Sequence, residues 1–148
     1  MTSAGSASIH ASAVLAGNRA VLIRGPSGSG KSRLAFDLVL AGRAGYLPPT
    51  TLIGDDRVRL TVNGGTLTVR GVAELAGKIE IRGLGIRSVN YAADGPIGLV
   101  VDLNAADAAR LPPPESLKTT LEGLELPRIP VGADFNALPL VLAFLTTT

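Results

Sequence analysis

The sequence predicts an α/β domain with a phosphate loop, in which a central mixed sheet is flanked by helices and carries added β-hairpins. Residues 25–32 fit the pattern G-x-x-x-x-G-K-[ST] without a mismatch. A short apolar run at 21–23 precedes this loop, and apolar residues recur at helical spacing from Leu34 to Val39 after it, with Gly42 as the predicted stop. Strand, glycine loop and helix are the context in which this motif binds phosphate.

The loop predicts a nucleotide site with Mg²⁺. Its glycines let successive N–H groups face a polyphosphate, and the helix adds its positive N-terminus. Lys31 is predicted to reach the β- and γ-phosphates, and the Ser32 hydroxyl to ligate the metal. The alternative is a glycine-rich turn that binds nothing. The residues predicted to contact ATP are Gly25, Pro26, Ser27, Gly28, Ser29, Gly30, Lys31 and Ser32.

Composition indicates one domain with an aliphatic core. The chain has 148 residues and 46% hydrophobic residues, but only three Phe, two Tyr and no Trp, which suits a sheet covered by helices. Residues 1–8 are predicted to be a disordered terminus and 9–148 the domain. A net charge of +2 without a basic run gives no indication of nucleic acid, and the lack of cysteine excludes disulfides and thiolate metal sites. No signal peptide and no apolar run near the roughly 20 residues of a membrane span is present, so a cytoplasmic protein is expected.

Two turn signals predict hairpins, and the end of one predicted strand carries two candidate catalytic carboxylates. Apolar runs flank Gly17-Asn18, and residues 58–70 alternate around Asn63-Gly64. The apolar pair before Asp55 and Asp56 predicts a strand whose carboxyl end meets the site. These two carboxylates could supply a general base and an acidic partner near metal-bound phosphates; the alternative is an Asp-rich turn.

Several other polar residues are open to two interpretations. Glu80 and Arg82 lie either on a solvated strand face or at the phosphate site. Asp102 ends an apolar strand and is a rival metal ligand, and Arg110 either clamps a phosphate or is simply exposed. His10 is the single histidine, and residue chemistry alone favours a surface position for it.

The C-terminal third of the chain predicts scaffold elements. The proline-containing segment 126–131 is expected to be an extended edge segment. A final helix is expected to start after Asp134 or Asn136, and residues 71–77 are expected to form a short helical turn.

These pieces together resemble the C-terminal catalytic domain of the HPr kinase/phosphorylase family, bacterial enzymes that phosphorylate a serine of the phosphocarrier HPr. The family has a His-containing strand ahead of the loop lysine, as His10 precedes Lys31 here, and an Asp-Asp-x-Val segment, matched at 55–58. Its most specific motif, EIRGLGI, is matched without a change at 80–86. The resemblance covers nearly the whole chain from Ile9 onward.

The resemblance implies roles for the site residues. Lys31 binds the transferring phosphate, and Ser32 and Glu80 hold the divalent metal, so that Glu80 displaces Asp102 as the preferred ligand. Asp56 accepts the proton in the kinase reaction and donates it in the reverse reaction, with Asp55 beside it.

The resemblance also changes the interpretation of two residues. His10 becomes a catalytic-site residue. Arg110 falls near a catalytic arginine of the family, although the alignment there crosses a deletion.

The chain departs from the family pattern at several places. The family's long N-terminal domain is absent, so a short form is expected. Arg33 follows the loop where an acidic residue is usual, and segment 130–136 lacks the arginine of a family segment linked to dephosphorylation.

The expected function is that of an ATP-dependent protein-serine kinase acting on an HPr-type phosphocarrier, with the phosphorylase half in doubt. ATP and Mg²⁺ are the implied cofactors, and a homo-oligomer, a hexamer in the family, is implied. Neither nucleic acid nor a membrane is an expected partner. The alternatives are a small-molecule kinase with an enclosed acceptor pocket, and an ATP-binding regulatory module without turnover.

Overall fold

A mixed sheet forms the centre of the molecule, in a computed structural model that describes residues 8–148. The strands are β1 (Ser8–Ile9), β2 (Ser12–Ala16), β3 (Arg19–Arg24), β4 (Thr50–Gly54), β5 (Val58–Asn63), β6 (Thr66–Gly71), β7 (Lys78–Ile81), β8 (Gly85–Ser88), β9 (Asp94–Leu103), β10 (Lys118–Leu121) and β11 (Leu124–Val131). The α-helices are α1 (Lys31–Arg43) and α2 (Ala137–Thr146), and 3-10 turns cover Ala73–Leu75 and Pro114–Leu117. The predicted α/β class is confirmed.

The predicted terminal segment 1–8 falls almost wholly outside the described residues. Its last member, Ser8, belongs to β1 and pairs with Arg59 of β5.

The strand directions bring the carboxyl ends of three strands to one edge of the sheet. β3 runs parallel to β9, and β2 runs antiparallel to both β3 and β4. β4 therefore points the same way as β3 and β9. In sheets of this kind ligands bind beyond the carboxyl ends of parallel strands. Here those ends carry the phosphate loop after Arg24, the acidic pair after Gly54, and Asp102 near the end of β9.

Strand β3 is buried on both faces, as its continuous apolar run predicted. Val21 and Ile23 pack into a cluster with both helices, whereas Ala20 and Leu22 pack into a second cluster with β5 and β6. A strand covered on both sides holds the phosphate loop between two cores.

The predicted helix after the loop is confirmed, but the predicted role of Gly42 is wrong. Helix α1 continues to Arg43, and the left-handed glycine that follows its cap residue Ala44 is Gly45, with a φ of 87°. The Gly45 N–H donates to the Gly42 carbonyl and the Tyr46 N–H to the Ala41 carbonyl, which is the usual glycine-ended helix terminus. Gly42 instead packs on β4. A Cβ added to it would lie 2.8 Å from the backbone nitrogen of Thr50.

The predicted hairpins and final helix are confirmed. β2 and β3 close at Ala16 and Arg19, and β5 and β6 close at Asn63 and Thr66. The Asn136 side chain caps α2 by accepting a hydrogen bond from the Leu138 N–H. Segment 126–131 is extended, as predicted, within β11, which pairs parallel to β9. No helix in the described part of the chain is long and apolar enough to cross a membrane.

Candidate active site

The phosphate loop joins β3 to α1 and holds its lysine in place. The Lys31 ammonium donates hydrogen bonds to the carbonyls of Gly25 (2.8 Å) and Pro26 (3.2 Å), and the side chain is buried. A Cβ on Gly25 would come within 2.5 Å of Ser29 Oγ, so the tight loop requires glycine there. The lysine charge is thereby fixed at the mouth of the loop.

One loop atom is left without a partner. Within residues 8–148, Ser29 Oγ is the buried side-chain polar atom with no hydrogen bond. A buried hydroxyl without a partner carries a desolvation cost of about 1–3 kcal/mol. An incoming phosphate oxygen would satisfy it, so the loop chemistry fits a polyphosphate ligand.

Asp55 is the buried centre of the site. Its side chain is only 8% exposed. Oδ1 accepts hydrogen bonds from Ser32 Oγ (2.6 Å) and Ser12 Oγ (2.8 Å), and Oδ2 accepts one from the backbone N–H of Glu80 (3.1 Å). Because the Ser32 proton is directed at Asp55, the lone pairs of that hydroxyl remain available to a metal ion. Asp55 therefore orients other groups and does not itself line the cleft.

Asp56 has the opposite environment. Its backbone adopts a left-handed φ of 67°, uncommon for a residue with a side chain, and its carboxylate is 69% exposed. It lines the cleft in front of the phosphate loop. His10, from the turn between β1 and β2, places Nδ1 3.7 Å from Asp56 Oδ1. The structure thus brings the two predicted catalytic residues together, and the exposure of His10 also agrees with the surface position that its chemistry favoured.

The β7–β8 hairpin delivers Glu80 and Arg82 to the cleft. Both side chains line it. The Arg82 Nη2 atom lies 4.0 Å from the position that a Cβ on Gly28 would occupy, so the guanidinium reaches the phosphate loop. Of the two interpretations of this strand, the structure supports placement at the phosphate site.

Helix α1 supplies the remaining wall of the cleft, whose volume is about 770 Å³. Arg33, Phe36 and Asp37 follow the loop along the helix, Arg33 exposed and the other two half-buried. Burial raises the pKa of Asp37, and the charge of Arg33 partly opposes that rise. The complete lining is Ser27, Gly28, Ser29, Gly30, Lys31, Ser32, Arg33, Phe36, Asp37, Asp56, Glu80, Ile81 and Arg82.

Asp102 is already paired with two guanidinium groups. Its Oδ1 accepts from Arg24 Nε at 2.7 Å, and its Oδ2 accepts from Arg24 Nη2 at 2.8 Å and from Arg128 Nε at 2.5 Å. Burial alone would raise its pKa, but the hydrogen bonds and charges of both arginines outweigh burial and lower it. A carboxylate held in this way is a poor candidate for a metal ligand. Of the two rival acidic ligands, Asp102 and Glu80, Glu80 therefore remains the candidate.

Arg110 lies apart from these groups. It is exposed in the segment after β9 and does not line the cleft. Its catalytic role stays a prediction.

The residues present fit a magnesium ion that is bound together with nucleotide. In the described chain no three His, Asp or Glu side chains cluster closely enough to hold a metal by themselves. Mg²⁺ is commonly bound through one or two protein groups plus substrate phosphates and water. Ser32 and Glu80 are the groups that could provide this limited protein contribution.

Ser12 also belongs to the site, although no sequence pattern predicted it. This side chain is fully buried at the start of β2, donates to Asp55, and accepts the Asp56 N–H at 3.2 Å. No local pattern marks it, because its role depends on how β2 and β4 pair. Phe36 and Asp37 were also not predicted to line the site, although their spacing from Lys31 on the helix would have placed them on its loop-proximal turns.

The fold and the cleft define a phosphate-loop α/β domain of the kinase-like type. The sequence profile of the HPr Serine kinase C-terminal domain matches residues 2–111. The chain belongs to this family, which confirms the resemblance inferred from its motifs.

Relatives with assigned names agree with the family. The chain is 40% identical over 90 residues to an HPr kinase/phosphorylase of Mycoplasma mycoides, covering 56% of this chain and 26% of that protein. It is 35% identical over 136 residues to an HPr kinase/phosphorylase of Treponema pallidum, covering 82% and 40%. The chain thus spans less than half the length of these curated relatives.

A solved structure is similar over the full domain. The HPr(Ser) kinase/phosphatase from Coxiella burnetii superimposes with a TM-score of 0.73 at 25% identity, covering 94% of this chain and 93% of that one.

Proposed function

We propose that this chain transfers the γ-phosphate of ATP to a serine of an HPr-type phosphocarrier protein. Family membership supports the reaction class. The observation that carries the proposal is that Asp56 and Glu80 line the same cleft as the phosphate loop. A candidate base, a candidate metal ligand and a phosphate cradle are therefore within one site.

The reaction assigns each residue a task. The serine Oγ attacks the γ-phosphorus, the bond from that phosphorus to the bridging oxygen of ADP breaks, and the serine proton passes to Asp56. Lys31, the loop N–H groups and Arg82 stabilise charge on the phosphoryl oxygens. Mg²⁺, held by Ser32 and Glu80 when bound, would neutralise charge on the β- and γ-phosphates.

The exposure of the base favours a protein acceptor over a small molecule. Asp56 and its neighbour His10 are 69% and 73% exposed. A small acceptor requires enclosure to exclude water from the γ-phosphate, whereas a protein can cover the base with its own surface. A serine on a protein surface could reach Asp56 directly.

The test is phosphate transfer to purified carriers. The domain is incubated with labelled ATP, Mg²⁺ and HPr-type carriers, beside carriers whose acceptor serine is replaced by alanine. Label on the wild-type carrier alone is expected. Tight ATP binding without label on any carrier would refute the proposal and favour an ATP-binding regulatory module.

Three further assignments accompany this proposal. The reverse, phosphorylase reaction would use the same Asp56 as proton donor, and incubating phosphorylated carrier with inorganic phosphate tests it. A homo-oligomer, with the family hexamer as the specific expectation, is tested by sedimentation. The cytoplasmic location remains a prediction.

A further inference from the structure

We infer that Ser12 is a positioning residue that fixes Asp56 in its reactive orientation, an inference that rests on the proposed function. Ser12 does not line the cleft. Its hydroxyl lies between the Asp55 carboxylate and the backbone of Asp56, donating to Asp55 Oδ1 (2.8 Å) and accepting the Asp56 N–H (3.2 Å). It is fully buried.

The strand pairing explains why a side chain is needed here. The β2–β4 ladder ends at the pair Ala13 and Gly54, next to a register shift. Beyond that pair the chain turns through Asp55 into the left-handed conformation of Asp56. The Asp56 N–H has passed the last backbone partner on β2, and the Ser12 hydroxyl takes the place of that partner.

The single proton of the Ser12 hydroxyl determines which of its two hydrogen bonds it donates and which it accepts. Ser12 has one O–H, which the Asp55 carboxylate attracts, so its lone pairs face the Asp56 N–H. Asp55 in turn accepts from Ser32 at 2.6 Å. Ser12 therefore links the orientation of the proposed base to the carboxylate that orients the proposed metal ligand.

The first experiment compares Ser12→Ala with Thr50→Val. Thr50 is the matched control, because its buried hydroxyl on β4 donates to the Pro48 carbonyl at 2.8 Å and contacts neither carboxylate. Loss of the Ser12 hydroxyl should lower kcat for carrier phosphorylation about 10- to 100-fold, with the KM for ATP within about twofold. Thr50→Val should leave kcat within about twofold. Equal kcat in the two variants would overturn the inference.

A second variant and a second background separate positioning from general instability. Ser12→Cys keeps the size of the side chain but has only a weak donor and acceptor, so it should lose kcat even if Ser12→Ala folds poorly. In an Asp56→Asn background, where the base is already missing, Ser12→Ala should change the residual rate by less than about twofold. An undiminished effect in that background would show that Ser12 does not act through Asp56.

Amide hydrogen exchange tests the contact without any activity. The Asp56 N–H should exchange at least about tenfold faster in Ser12→Ala or Ser12→Cys than in the wild type, and unchanged exchange would refute the positioning role. If the wild type phosphorylates no carrier, the proposed function fails while this measurement still decides whether Ser12 holds Asp56.

Discussion

Asp55 and Asp56 are adjacent in the chain, yet their carboxylates lie in opposite environments. Asp55 accepts three hydrogen bonds in the interior, whereas Asp56 is largely exposed on the cleft. A buried carboxylate with three donors orients the groups that donate to it. An exposed carboxylate beside the phosphate loop can receive a proton from a bound substrate. Geometry therefore divides the two residues into an orienting group and a reacting group.

Replacing each aspartate by asparagine should give distinct results. Asp56→Asn removes the proton acceptor, so kcat should fall about 10²- to 10⁴-fold while ATP affinity and thermal stability stay close to wild type. Asp55→Asn places a side-chain NH₂ where an oxygen now accepts a hydrogen bond, which should lower the free energy of unfolding by about 1–3 kcal/mol. Retained turnover in Asp56→Asn, measured with labelled ATP and carrier, would remove it from the role of base.

At the scale of elements, the close contact of α1 with β4 joins the two halves of the site. Helix α1 begins at Lys31, and β4 ends directly before Asp55. At its other end the helix approaches β4 through Gly42, where an added Cβ would lie 2.8 Å from the nitrogen and the side chain of Thr50. Backbone cannot yield at such a distance without moving the strand.

Gly42→Ala should therefore destabilise the protein, against the usual trend for a helix interior. Alanine is favoured over glycine in a helix by about 1 kcal/mol, but overpacking typically costs about 1–3 kcal/mol. Denaturant unfolding should show net destabilisation, while the neighbouring exposed change Arg43→Gln should stay within about 0.5 kcal/mol. A more stable Gly42→Ala would mean that helix and strand can move apart freely.

Sequence patterns predicted those elements that short-range physics determines. The phosphate loop, α1, the two hairpins, the capped α2 and the strand ending at Asp55 all follow from local periodicity and turn residues. The insertion of β2 between β3 and β4 does not follow from local patterns. The contact of Ser12 with Asp56 depends on that insertion, because it joins residues that are 44 positions apart. The pairing of Arg24 with Asp102 spans 78 positions, which is why Asp102 remained a rival metal ligand in the sequence.

At the scale of the whole molecule, a network of charges ties together the strands behind the phosphate loop. Asp102 on β9 pairs with Arg24 on β3 and with Arg128 on β11, and Arg128 also donates to Asp107 at 2.8 Å. Hydrogen bonds from Arg128 lower the pKa of Asp107. Since Arg24 directly precedes Gly25, the network anchors the strand that carries the loop.

This network predicts how stability depends on pH. The pKa of Asp102 is lowered in the folded protein, so its ionised form contributes stability above its unfolded pKa of about 3.9, and that contribution is lost as pH falls through the lower folded pKa. Asp102→Asn should lower the free energy of unfolding at pH 7 by about 2 kcal/mol. This loss lies between those typical of breaking a surface salt bridge and a buried one. The difference from wild type should shrink as pH falls below about 4.

The same variant separates this anchoring role from metal binding. Urea unfolding across pH measures the stability difference, and magnesium-dependent ATP binding at pH 7 is measured beside it, with Glu80→Gln as the comparison. If Asp102 only pairs with Arg24 and Arg128, Asp102→Asn keeps the magnesium dependence that Glu80→Gln weakens. A stability difference that stays constant down to about pH 2 would contradict the ion-pair assignment, because protonated Asp102 can no longer attract either guanidinium as an anion.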